Sequence, residues 1–323
     1  MHVDSGDFRL YIKAMSLISV VIPCYNEEDN VVNIADKTRE IFKSELPNDD
    51  YEIIFIDNGS SDKTIERIKT MCSADKKIKL IANVKNYGQL ISPYYGMLQA
   101  NGDAIIPMVC DFQDPPENIP SLVEKWKKGK KIVLAIPKKT KEGYTLFKKI
   151  YYKLINFFAR EEQIPNFHSY GIYDREVQEA LARLNDKSPY FRGQILELNF
   201  EKELVYYTPN KRESGKSTNN FFSLYTVAIE GLVSTSIIPL RLASLIGLLS
   251  SLITILVGVS YFLYKILHWD TFEMGMAPWA IALFLFASVQ LFFLGLIGEY
   301  LLINQFKNQA SPFVVEKERI NFG

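Results

Sequence analysis

The chain has 323 residues, 37 Lys and Arg against 37 Asp and Glu, and a formal net charge of zero. That balance lacks the basic surplus of a dedicated nucleic-acid binder, so no nucleic-acid partner is expected. Three cysteines, Cys24, Cys72 and Cys110, are an odd number without metal-ligand spacing, which argues against a disulfide scaffold or a structural zinc site.

Met1 to Ser16 carries Asp4, Asp7, Arg9 and Lys13 and has no apolar core of the kind a signal peptide needs. The continuous, β-branched run Leu17 to Ile22 then reads as a strand ended by Pro23. Within Glu27 to Phe42, Val31, Ile34, Thr38 and Ile41 recur at helical spacing. The alternation continues with a strand at Glu52 to Ile56, a helix at Lys63 to Met71, a strand at Ile78 to Ala82, a helix at Leu90 to Ala100, and strands at Ala104 to Val109 and Lys131 to Ile136. Strands that are apolar throughout and separated by helices predict an α/β, Rossmann-like domain whose mostly parallel sheet is covered on both faces. Ligands of such sheets bind beyond the carboxyl ends of the strands, which singles out the residues following each one.

Those residues are acidic. The first strand runs into Pro23-Cys24-Tyr25-Asn26-Glu27-Glu28, the second into Asp57-Asn58-Gly59-Ser60-Ser61-Asp62, and the fourth into Asp111-Phe112-Gln113-Asp114-Pro115-Pro116-Glu117. Taken singly, each is turn chemistry: Asn26 and Ser61 suit helix caps, Gly59 suits a positive φ, and Pro115 and Pro116 suit a helix start. Three carboxylate-bearing loops converging on one sheet edge repel one another unless a cation or a donor-rich ligand sits among them.

Beyond the fifth strand, Pro137-Lys138-Lys139-Thr140-Lys141-Glu142-Gly143 reads either as a solvated turn or as a cationic ligand loop, and His168 as a structural histidine without a chemical role. Arg212 and Lys216 stand just before a membrane-like region, where a phosphate headgroup would lie, and an Arg fork grips phosphate bidentately. Phe221, Tyr225, Ala228, Ile229 and Leu232 recur at helical spacing and predict an interfacial helix over 218–236. Two uncharged apolar stretches follow, Leu242 to Tyr264 and Met274 to Gly298. At about 1.5 Å per residue each is long enough for a hydrocarbon core of about 30 Å. A transmembrane hairpin over 237–306 is therefore expected, with helices at about 240–265 and 276–303. Lys211, Arg212, Lys216 and Arg241 precede it and Lys307, Lys317 and Arg319 follow it, whereas the turn has Lys265 against Asp270 and Glu273. The positive-inside bias puts the large domain and both termini on the cytoplasmic side of a cytoplasmic membrane. In the tail, Phe313-Val314-Val315 within Pro312 to Ile320 reads as a strand seeking an edge.

Read together, the segments VVIPCYNEEDNV (20–31), IIFIDNGSSDKT (53–64) and CDFQDPPE (110–117), followed by two apolar spans, resemble family 2 glycosyltransferases of the polyprenyl-phosphate type, such as dolichol-phosphate mannose synthases and undecaprenyl-phosphate glucosyltransferases. The likeness extends to Tyr190-Phe191-Arg192-Gly193, Arg212-Glu213-Ser214-Gly215-Lys216-Ser217, Pro239-Leu240-Arg241 and Pro312-Phe313-Val314-Val315-Glu316, and so covers nearly the whole chain. It implies a GT-A catalytic domain over 1–217, the interfacial helix, the hairpin, and a cytoplasmic tail over 307–323. It also implies inverting transfer of a sugar from a UDP- or GDP-linked donor to a polyprenyl phosphate.

The roles of individual residues come with the resemblance. Asp57 is expected to bind the nucleotide sugar in a pocket shaped by Pro23, Tyr25 and Glu27. Asp111 is expected to ligate Mg²⁺ or Mn²⁺, with Gln113 assisting at metal and phosphate, and these two form the expected catalytic pair. Lys138 and Lys139 would approach the acceptor phosphate together with Arg212 and Lys216. The tail would pair with a neighbouring subunit in a homo-tetramer. Two positions depart from the pattern: Val109 stands where the first aspartate of Asp-X-Asp is usual, and Asn58 where the nucleotide loop has its second aspartate. They leave open a degenerate, transferase-like membrane scaffold, and a transferase acting on a saccharide acceptor is a second alternative.

Overall fold

The computed structural model of the protein describes residues 15–138, 164–186, 189–209, 276–308 and 313–322, with short groups of residues between 245 and 267. Lys139, Arg212, Lys216, the stretch 218–236 and, of the expected turn, Lys265 and residues 268–273 lie outside the described residues. The chain first builds β1 (Leu17–Cys24), α1 (Val31–Glu45), β2 (Asp50–Asp57), α2 (Thr64–Ala74), β3 (Ile78–Asn83), α3 (Gly88–Leu98) and β4 (Ala104–Pro107). A single turn at Pro116–Asn118 leads into α4 (Ile119–Lys127) and β5 (Ile132–Pro137). Then come β6 (Gly171–Asp174), α5 (Arg175–Leu184), α6 (Phe191–Glu197), β7 (Lys202–Tyr207), α7 (Met276–Asn308) and β8 (Glu316–Ile320).

One sheet orders the strands β7-β5-β6-β4-β1-β2-β3-β8. Its centre is apolar on both faces: Val20, Val21, Ile22, Ile53, Ile54, Phe55 and Ile56 have no exposed surface. Ile34, Phe42, Ile68 and Leu122 from α1, α2 and α4 cover one face. Tyr94, Met97, Val177, Leu181 and Ile195 from α3, α5 and α6 cover the other. Each such side chain contributes about 1.5–3 kcal/mol by leaving water, which is why β-branched runs without alternation settle here.

The sheet is mixed, with the expected parallel direction kept by six of its eight strands and reversed only in β6 and β8. β1 pairs parallel with β2 and β4, and β2 with β3, whereas β6 runs antiparallel to β4 and β5, and β8 antiparallel to β3. Crossovers through α1, α2, α3 and α4 link β1 to β5 in one direction and β7 joins them parallel to β5, whereas β6 and β8 are not bound by that rule. The boundaries of α1 and β4 also move for local reasons. The helix α1 starts at Val31 because the Glu27 carbonyl accepts from the Asn30 and Val31 amides in a preceding turn. Strand β4 stops at Pro107, and the Val109 amide leaves the ladder for Asp114.

The tail strand is also displaced from its expected place. It spans Glu316–Ile320 and pairs with β3 of its own chain, Leu80 facing Ile320 and Ala82 facing Glu318. Of the apolar triplet before it, two residues pack: Phe313 lies edge-on to Tyr94 and Tyr95 with ring centroids 5.9 Å apart in both cases, and Val314 is buried, while Val315 is exposed and accepts the Val84 amide on its carbonyl. Within one chain, then, the edge of β3 is already taken, and the expected tetramer has no support from this strand. Taken over continuous described residues, no helix is long and apolar enough to cross a membrane, so the fold does not establish the expected hairpin.

Candidate active site

Parallel pairing aligns the ends of β1, β2 and β4. Cys24 sits beside Asp57 in the register of β1 and β2, and Val21 sits beside Pro107 in that of β1 and β4. The three acidic loops therefore leave one sheet edge side by side. Side chains bond the first two together: the Asn26 amide donates to Ser60 Oγ at 2.9 Å, the Ser61 amide to Asn26 Oδ1 at 2.8 Å, and the Glu27 amide to Thr64 Oγ1 at 2.8 Å. Asn26 adopts φ 56°, which asparagine tolerates and which turns its amide group toward the second loop. Asn26 and Ser61 are thus loop staples, and neither caps a helix.

Electrostatics register the same convergence. The buried Cys24 thiol is pushed well up by burial first and then by Cys110, Asp57, Glu27 and Asp62, and the Cys110 thiol by burial and then Glu27 and Asp111. Acids from the loops after β1, β2 and β4 thus bear on these two thiols, in keeping with the alignment of the three strand ends.

Asp57 has no exposed surface. Its Oδ2 accepts from the Gly59 amide at 2.9 Å and the Ser60 amide at 3.0 Å, which Gly59 permits through a φ of +80°. Its Oδ1 is buried without a hydrogen-bond partner. Burial pushes the carboxyl up, against the pull of the Ser60 and Gly59 donors. An unpaired buried acceptor costs about 1–3 kcal/mol, and the described residues supply no donor to this atom. Tyr25 is 42% exposed at the rim, Pro23 half-buried and Glu27 half-buried, where its Oε2 accepts from Asn30 Nδ2 at 2.6 Å.

The loop after β4 is held more tightly than its sequence suggests. Asp111 is 5% exposed and accepts the Gln113 amide on Oδ1 at 3.2 Å, while the Gln113 side chain is exposed. Between them Phe112 takes a φ of 62°, a left-handed conformation that a bulky residue rarely adopts, and is buried in the core. Asp114 fixes the loop from below. Its Oδ2 accepts the Val109 amide at 3.2 Å and its Oδ1 accepts the Tyr207 hydroxyl at 2.9 Å, and burial pushes its carboxyl up to about 6. Tyr170 secures the next residue by donating to the Pro115 carbonyl at 2.5 Å. Sequence reasoning gave Asp114 no role; an aspartate two residues before a helix-starting proline reads as a turn, and its partner Tyr207 lies 93 positions away.

Among the described residues, no group of three or more His, Cys, Asp or Glu side chains is arranged to hold a metal ion. The donor set still fits a hard cation that brings its own ligands: the Asp111 carboxylate and the Gln113 amide oxygen give two oxygens, and Mg²⁺ or Mn²⁺ completes its shell with water and phosphate. Lys138 lies exposed at the end of β5, its amide donating to the Tyr207 carbonyl at 2.7 Å.

Loops that meet beyond the carboxyl ends of adjacent parallel strands are where an α/β protein takes its ligand. Residues 19–181 match the family described as glycosyl transferase family 2, and the chain belongs to that family. A glycosyltransferase of Synechocystis sp. is 32% identical over 288 residues, which cover 88% of this chain and 89% of that one. The bactoprenol glucosyl transferase of Shigella phage SfII is 30% identical over 309 residues, covering 94% and 99%. Among solved structures, glucosyl-3-phosphoglycerate synthase from Mycobacterium tuberculosis, crystallised with Mn²⁺, uridine diphosphate and phosphoglyceric acid, superposes with a TM-score of 0.51 at 17% identity over 69% of this chain and 78% of that one. This last likeness shows the shared α/β, GT-A-like fold.

Proposed function

We propose that the protein transfers a sugar from a nucleotide diphosphate sugar to a polyprenyl phosphate at a membrane face, with inversion at the anomeric carbon. The observation that carries the reading is Asp57, a carboxylate buried at the end of β2 with one oxygen unpaired among the described residues. That oxygen accepts from the base or ribose of the donor, with Pro23, Tyr25 and Glu27 around it. Similarity to a bactoprenol glucosyl transferase along nearly all of both chains supports the acceptor class.

In the reaction, an oxygen of the lipid phosphate attacks the anomeric carbon while the bond from that carbon to the diphosphate breaks on the opposite face. The electron pair leaves with the nucleoside diphosphate. An ionised phosphate is already a nucleophile near neutral pH, so no side chain has to remove a proton, and the chain's task is to orient the two anions. Asp111 and Gln113 would hold Mg²⁺ or Mn²⁺, which when bound neutralises charge on the leaving diphosphate. Lys138, Lys139, Arg212 and Lys216 would offset the acceptor's charge. The substituted positions do not favour a dead scaffold: the Val109 amide and the Asn58 side chain are both bonded into the site's loops.

The membrane assignment rests on exposed apolar surface. The described residues between 245 and 267 are helical and present Leu245, Leu249, Leu252, Leu256 and Leu263 to the outside. Along α7, 33 residues long, Trp279, Leu283, Phe286, Leu291, Phe292 and Leu294 are likewise exposed. Surfaces of this kind belong in lipid or against another apolar surface. We read them as the two helices of a hairpin whose flanking charges keep the domain and both termini cytoplasmic.

Asp111→Asn tests the reading, since an amide is a much poorer ligand for a hard cation. Turnover should fall on the order of 100-fold to 1,000-fold with the thermal transition unchanged, and excess chelator should silence the wild type. Full activity in either case contradicts the role of Asp111.

A further inference from the structure

The segment between β3 and α3 together with the first residue of that helix, residues 84–88, is held from two sides, and the two holds meet in one residue. From the side of the nucleotide loop, Asn58 spends its whole amide on this segment and its neighbour. Asn58 Nδ2 donates to Asn86 Oδ1 at 2.8 Å and to the Gly88 carbonyl at 3.1 Å, and Oδ1 accepts the Tyr87 amide at 2.8 Å and Asn83 Nδ2 at 3.4 Å. Gly59 lies so close that a Cβ there would meet the Lys85 carbonyl carbon at 3.0 Å and the Asn86 nitrogen at 3.1 Å. From the other side comes the tail. The Val315 amide donates to the Tyr87 hydroxyl at 3.0 Å, and the Val315 carbonyl accepts the Val84 amide at 3.1 Å. Just beyond, Tyr95 donates to Glu316 Oε1 at 2.8 Å, and β8 begins.

From this arrangement we infer that Asn58 and Tyr87 are positioning residues which couple the donor loop to the C-terminal tail. Asn58 latches residues 84–88 onto Asp57-Asn58-Gly59, and Tyr87 passes the same segment to Val315. An aspartate at position 58 could still accept the Tyr87 amide, but its carboxylate has no proton for the Gly88 carbonyl and would lose that half of the latch. The asparagine is therefore a working part of a loop wall and not a lost ligand. The donor half of this inference rests on the proposed function; the latch itself rests on the hydrogen bonds alone.

The experiment uses the full chain in detergent and two readouts. Hydrogen exchange follows the amides of Tyr87 and Val315 in the wild type, in Asn58→Ala, which removes the amide without adding charge, and in Tyr87→Phe, a milder change at a partly exposed position. Titration with UDP and with GDP, each with Mn²⁺, follows the donor site. A coupled latch predicts that Asn58→Ala speeds exchange at Val315 as well as at Tyr87, and that Tyr87→Phe weakens nucleotide binding about threefold to tenfold and raises the donor KM to match, with kcat within twofold. Faster exchange confined to Tyr87 in Asn58→Ala, or unchanged nucleotide affinity in Tyr87→Phe, overturns the coupling. A wild type that binds neither nucleotide overturns the functional reading, and the latch is then decided by the exchange pattern alone.

Discussion

Asp57 and Asp114 are both buried acids whose carboxyls are pushed up by desolvation, but their hydrogen bonds assign them different work. Asp57 keeps Oδ1 unpaired, so removing its charge should be felt by the donor: Asp57→Asn should raise the donor KM by roughly tenfold to a hundredfold, the worth of a charge-assisted hydrogen bond of about 1.5–3 kcal/mol. Steady-state kinetics across donor concentrations read this directly. Asp114 has both oxygens occupied from within the chain, by Val109 and Tyr207, and its influence falls on stability. Its folded value near 6 lies above the ordinary 3.8, so the native state holds its proton more tightly than the unfolded chain. That contribution is fully present below about pH 4 and is lost as pH rises through 6, for a total on the order of 3 kcal/mol. Thermal unfolding of the wild type and of Asp114→Asn, compared from pH 4 to 7, should show the variant lacking this dependence; identical slopes would mean that Asp114 titrates normally.

Among the elements, β8 is the one whose role the structure most changes. Its strand is the charged Glu316-Lys317-Glu318-Arg319-Ile320, and it closes the edge of β3 with a row of charges that disfavours addition of a further strand. Phe313 anchors it between Tyr94 and Tyr95, so Phe313→Ala should lower domain stability by about 2 kcal/mol and loosen β8 before the rest of the sheet; chemical denaturation with exchange at Arg319 checks both. The sequence made the first four strands and three helices legible because fully buried strands and one-sided helices leave different periods. It did not reveal β6, four residues long and antiparallel, nor β7, where half-buried and exposed residues dominate. The acids Glu27, Asp57 and Asp111 were legible because strand ends converge in any such sheet. The pairings Asp114 with Tyr207 and Tyr87 with Val315 were not, because they join positions 93 and 228 apart, and nothing local marks them.

At the scale of the whole molecule, the domain proposed to bind two anions shares its chain with helices that expose leucines and phenylalanines, which is the combination required to bring a water-soluble donor to a lipid-borne acceptor. The proposed orientation predicts that a cysteine replacing Asp270 is labelled from outside intact cells and one replacing Lys141 is not. The native thiols Cys24, Cys72 and Cys110 are buried and stay silent in such an assay. The reverse labelling pattern would overturn the orientation while leaving the chemistry untouched. The chemistry itself is tested most directly by incubating the purified full chain with Mn²⁺, a short-chain polyprenyl phosphate, and UDP- and GDP-linked sugars in turn, and identifying the product. The account predicts a sugar joined to the lipid phosphate with inverted anomeric configuration, formed from one donor class and absent when the lipid phosphate is replaced by a free saccharide. Transfer to the saccharide and none to the lipid phosphate, or a product with retained configuration, would contradict it.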